Sequence, residues 1–178
     1  MTRRLLTVLA VAAALLILGA GTAFASSVHI KGGANAQPAY TDNGVTLTAA
    51  GALAGLGNGD VIVTLTAVAT PTATCHNPGT DQTLPPGQNP APVTVTGTEA
   101  IPASQVKNGN TPFAVTTDPP VSPIPGAPGC PNAGWVESIT DLAFTSATVT
   151  VEQPPGTTVL TVACVIAPAS MDGAVACS

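Results

Sequence analysis

Apolar residues and threonines alternate along much of this chain. In residues 45–49 the apolar side chains of Val45, Leu47 and Ala49 stand at odd positions, with Thr46 and Thr48 between them. A period of two is the mark of a strand with one buried face. Residues 61–68 repeat it more strongly: Val61, Val63, Leu65 and Ala67 share one face, and Thr64 and Thr66 the other. Ile62 and Val68 make that second face partly apolar, which predicts a central strand. Similar patterns predict strands over 28–31, 93–97, 113–117, 135–139, 143–152 and 158–166. In 143–152 the rhythm places Ala143, Thr145, Ala147, Val149 and Val151 on one face and Phe144 on the other.

Glycine, proline and asparagine divide these segments. A glycine-rich connector spans 51–60, with Asn58-Gly59 as its strongest turn signal. Residues 71–92 and 119–131 read as long proline-rich loops, and 101–107 as at most one helical turn. No stretch is long enough to supply the crossover helices of a parallel sheet. The expected fold is all-β, an immunoglobulin-like sandwich of about seven to nine short strands. Trp135 follows Cys130 too closely for the cysteine–tryptophan–cysteine spacing of antibody domains, so the likeness to that fold is architectural.

The N-terminus changes the picture of where this domain works. Arg3 and Arg4 precede an apolar run over 5–20, and Ala23-Phe24-Ala25 offers small residues at a cleavage site. This is the three-part pattern of a secretory signal peptide, predicting a leader over 1–25 and one domain over 26–178. The expected location is secreted and extracellular, with no membrane attachment after cleavage. Four cysteines follow the leader, and in an oxidising compartment two disulfides are the default. Cys75–Cys130 and Cys164–Cys177 are the favoured pairs, with crossed pairing as the alternative. The favoured pairs close loops worth about 4 and about 3 kcal/mol of chain entropy.

Without the leader, two lysines, Lys31 and Lys107, stand against nine carboxylates, a net charge of −7. That excludes the basic surface that nucleic acid requires.

Candidate chemistry is sparse. His29 and His76 are the only imidazoles. His76 adjoins Cys75, which a disulfide would remove as a nucleophile. Asn58 and Asp60 are weak calcium candidates, because calcium wants six to eight oxygens, and no other metal or cofactor is expected. Trp135 and Tyr40 are the two rings that a minimal glycan platform would use. The loop 119–129 has the bracing of a protease-inhibitor loop, without a feature that singles it out. Threonine-rich faces and strand edges poor in lysine offer a route to self-association. The expected function is a non-enzymatic structural or adhesive domain. A carbohydrate-binding module is the first alternative, and a secreted hydrolase or protease inhibitor the second. The expected partners are a second copy or a surface glycan.

The segments Val28-His29-Ile30-Lys31-Gly32-Gly33, Gly55-Leu56-Gly57-Asn58-Gly59-Asp60 and Cys130-Pro131-Asn132 resemble those of small secreted β-rich proteins of filamentous and soil bacteria. The resemblance implies export and a bacterial origin. It implies no catalytic residue.

Overall fold

A computed structural model describes residues 27–178 except Ala34 and Asn108. The expected leader lies outside the described residues. Among the described residues ten strands form two antiparallel five-stranded sheets packed face to face. They are β1 (His29–Ile30), β2 (Ala39–Asp42), β3 (Leu47–Ala54), β4 (Val61–Asn77), β5 (Gln82–Leu84), β6 (Val93–Ile101), β7 (Thr111–Thr116), β8 (Val136–Glu152), β9 (Thr158–Val165) and β10 (Gly173–Val175). One 3-10 turn, Ala103–Gln105, follows β6 at the place where a helical turn is expected.

In the first sheet β3 is central. It pairs with β7 on one side, and with β1 and β2 in succession on the other, while β10 extends β2. In the second sheet β4 is central. It pairs with β8 on one side, and with β6 and then β5 on the other, while β9 extends β8.

The strands differ from expectation in ways that have physical causes. β3 continues through 51–54, which the glycine count marks as connector, because Leu53 keeps the inward phase of Leu47 and Ala49. β4 runs 17 residues, straight through Pro71. Proline is normally excluded from a central strand because it lacks an N–H. Pro71 lies where β6 has ended at Ala69 and β5 has not begun at Cys75, so β4 is paired there with β8 alone.

β8 is likewise a single strand of 17 residues, not two. It is broken in phase by irregularities at two places. Val68 pairs with Ser146 but Ala69 with Phe144, and Thr72 pairs with Asp141 but Ala73 with Ile139. Each extra residue flips the inward phase. Phe144 therefore faces the core together with Ala147, Val149 and Val151, contrary to the simple alternation, and Ile139 and Leu142 both turn inward. Phe144, Leu47, Leu53, Leu65 and Leu142 are the largest apolar side chains to be fully enclosed, each contributing roughly 1.5–3 kcal/mol.

One corner of the sandwich is nearly closed. β6 leaves the second sheet where β7 borders the first, and the Asp118 N–H donates to Thr96 O at 3.0 Å. The Glu99 carboxylate accepts from the Ala114 N–H of β7 at 2.8 Å. Gly97 sits at this crossing: a Cβ there would lie 1.8 Å from the Thr116 carbonyl oxygen. Backbone cannot yield as a side chain can, so Gly97→Ala should force the two edges apart. The expected loss is about 3 kcal/mol or more, read as a lowered midpoint in urea with the slope unchanged.

Candidate functional site

The glycine-rich connector before β4 is organised by one residue that the sequence reading passed over. Gln153, 6 % exposed, reaches it from the end of β8. Its Oε1 accepts the Gly57 N–H at 2.7 Å, and its Nε2 donates to Gly57 O at 3.0 Å and Gly59 O at 2.8 Å. The carbonyl oxygens that a calcium ion would need are thus held by an amide. Asp60 accepts the Ala103 N–H at 2.8 Å, securing the 3-10 turn, and Asn58 is exposed. Among the described residues no three His, Cys, Asp or Glu side chains gather as a metal site.

Both cysteine pairs are joined, Cys75–Cys130 and Cys164–Cys177. Cys75 lies buried on β4, opposite Glu137 of β8. Glu137 is 1 % exposed, and its Oε2 accepts the Gly129 N–H at 2.9 Å. It therefore pins the loop that carries Cys130. The same loop is laid along the upper half of β8, where β9 has no residues left to pair. The Ile124 N–H donates to Glu137 O at 2.7 Å, and the Ser122 hydroxyl accepts the Ile139 N–H at 3.1 Å. The proline-rich stretch 119–131 is in this way stitched down as a strand-edge cover.

His76 points outward from β4. Its Nε2 lies 3.7 Å from Asp81 Oδ1 and its Nδ1 3.5 Å from Thr83 Oγ1. The order carboxylate, imidazole, hydroxyl resembles a catalytic relay. The distances are long for hydrogen bonds, and Asp81 is 96 % exposed at a turn. A relay of that kind works when enclosed and oriented, and this one stands in solvent. His29 Nδ1 lies 2.7 Å from Ser27 O, at the rim of a shallow, open cleft of about 290 Å³. Ile30, Asn35, Gln37, Leu160 and Val162 also line that cleft, between the β1–β2 connection and β9.

The two rings considered for a glycan platform are not a surface pair. Trp135 is half-buried just before β8. Tyr40 is 2 % exposed in the core, and its hydroxyl has no hydrogen-bond partner. Burial pushes the Tyr40 pKa up to about 12.

A polar junction couples the sheets at one end. Asp42, the last residue of β2, is 3 % exposed. Its Oδ1 accepts the Gly44 N–H at 3.0 Å, and its Oδ2 accepts the Ser170 hydroxyl at 2.5 Å. Ser170 in turn accepts the Phe144 N–H at 2.7 Å and donates its own N–H to Phe144 O at 2.9 Å. β9 ends opposite Ser146, short of Phe144, and on that open side of β8 Ser170 takes both Phe144 groups. Desolvation raises the Asp42 pKa, and the nearby charges of Asp141 and Asp172 raise it further. The bonds from Ser170 and Gly44 oppose them and do not win.

Two outcomes follow from these environments. A carboxyl whose pKa is higher in the folded than in the unfolded chain favours folding when protonated. Its contribution is fully present below the ordinary aspartate range and is lost as pH rises through the folded value. Stability should fall over that window in the native chain, and Asp42→Asn should flatten the fall, as measured by urea midpoints from pH 3 to 7. Tyr40→Phe removes a buried hydroxyl that has no partner and should stabilise the fold by about 1 kcal/mol, seen as a higher melting temperature. Compared with known proteins, the chain matches no family model, no curated protein and no solved structure.

Proposed function

We propose that this chain is exported and serves outside the cell as a non-enzymatic structural or adhesive domain, a disulfide-braced sandwich of immunoglobulin-like architecture. The observation that carries this reading is the employment of its buried polar side chains. Asp42, Thr111, Thr117, Glu137 and Gln153 are buried, and each is bonded to a backbone group of a loop or strand end. A reaction centre keeps polar groups in reserve, aimed at a cavity where substrate can reach them. Here, apart from the unpartnered Tyr40 hydroxyl enclosed in the core, they hold the chain's own turns.

The outer edges support contact through faces. At β9 the Ala163 carbonyl accepts from Gln37 Nε2 at 3.4 Å and the Val165 carbonyl from the Ser178 N–H at 2.9 Å. Together with the contacts on β6 and β8, these bonds occupy several points along the edges of the second sheet. The outward side chains of β4, β6 and β8 include many threonines.

Expression of the full chain in a bacterial host tests the reading. Oxidised protein beginning at Ser26 should accumulate in the medium, without reactive thiols and without turnover of ester, glycoside or peptide substrates. Retention in the cytoplasm with four titratable thiols, or saturable turnover that a His76→Ala change abolishes, would overturn it.

A further inference from the structure

The outward positions of the second sheet carry a regular pattern. β6, β4 and β8 each present two threonines separated by one inward residue: Thr96 and Thr98, Thr64 and Thr66, Thr148 and Thr150. The registers place them side by side. Thr66 lies opposite Thr96 on one flank and Thr148 on the other, and Thr64 opposite Thr98 and Thr150. Thr161 of β9 continues the second row next to Thr150. The result is a grid of two rows across adjacent strands.

Three properties set this grid apart. First, it holds no charge, although the domain without its leader has nine carboxylates; the nearest, Glu152, begins the next row beside Ile62. Second, among the described residues none of the seven hydroxyls has a side-chain hydrogen bond to another protein group, whereas Thr48 and Thr116 on the opposite sheet bond each other at 2.8 Å. Third, the spacing is fixed. Neighbouring strands stand roughly 4.8 Å apart, and alternate residues about 6.7 Å apart along a strand. Branching at Cβ restricts each side chain to few rotamers, so methyl and hydroxyl groups repeat with the backbone.

A lattice of hydroxyls and methyls at these intervals favours water held at the same intervals. The prism faces of hexagonal ice repeat at close to both distances. A sugar polymer would gain from rings to stack upon, and the grid contains none. We propose that this face is an ice-binding surface, on which waters held by the threonine rows merge with the crystal. Strand twist of about 20–25° per neighbour limits the flat area to the columns of β6, β4 and β8. The expected effect is accordingly inhibition of ice recrystallisation, with only a small depression of the freezing point.

The test uses oxidised protein harvested from the medium after expression of the full chain. Native protein at micromolar concentration should keep ice grains small and should partition into slowly growing ice. Thr66→Tyr puts bulk into the middle of the grid, and Thr98→Lys puts charge at its exposed border. Each should weaken recrystallisation inhibition at least tenfold with melting temperature little changed. Thr41→Tyr, on the outer face of the other sheet, should leave it intact. The inference is overturned if native protein behaves as an acidic control protein of equal size. It is overturned equally if all three variants lose activity together. Retention on insoluble polysaccharide, or a dimer dispersed by Thr98→Lys, without any effect on ice would assign the face to a glycan or a second copy instead. Thr98→Lys keeps the experiment decisive should Thr66→Tyr fail to fold, because Thr98 is already exposed.

Discussion

The antiparallel ladder between β4 and β8 is the constraint from which the rest of the structure follows. It runs from Ile62 opposite Glu152 to His76 opposite Val136, and every other strand of the second sheet hangs from it. Two strands of such length cannot keep one perfect register and also fit a finite core, because twist accumulates along them. The irregularities beside Val68 and Thr72 absorb that mismatch. They also set which side chains fill the middle of the sandwich, since Phe144 and Leu142 both reach the core only through the change of phase. A local interruption of pairing is therefore what permits continuous packing.

Interrupting a ladder frees backbone groups, and in a buried setting those groups must find partners. The loops of this domain meet that need. Ser170 takes both groups of Phe144, Ser122 and Ile124 cover β8 beyond it, and Glu137 fastens the disulfide loop that brings them there. The high proline content fits this role. Segments that cannot form ladders of their own are laid against existing strands at single points. The two disulfides secure the same regions, one behind the loop at Gly129 and one at the C-terminal end beside β9.

The fold class was legible because a two-residue rhythm of apolar and threonine residues survives in almost every strand. Less legible were the continuations. Pro71 and the glycines around Gly51 signal a break, but local signals cannot show that β4 is paired on one side only at Pro71, or that Leu53 still faces a core. The polar anchors left a readable trace. Asp42 stands two residues after Tyr40, Gln153 two after Val151, and Glu137 two before Ile139, so each occupies the inward phase of its own strand. A charged or amide side chain on an apolar phase is a buried group in search of a partner. Tyr40 was misleading as a surface ring for the same reason: its phase already pointed inward.

That division of labour explains how the molecule tolerates so little charge on its broad faces. Solubility and the avoidance of edge pairing usually depend on charged residues along exposed strands. In the second sheet backbone and amide contacts hinder edge pairing at several points: Gln37 and Ser178 at β9, the crossing at Gly97 and Glu99 at β6, and the proline-rich loop at β8. Where an edge is covered without lysine, the neighbouring face is released from that duty. Threonine can then occupy outward positions in uninterrupted rows, where its hydroxyl meets water and its branched Cβ stiffens the strand. The uncharged threonine rows and the stitched edges are thus two sides of one solution. Loosening the covers would expose ladder, while the faces would have no charge to keep a second molecule away.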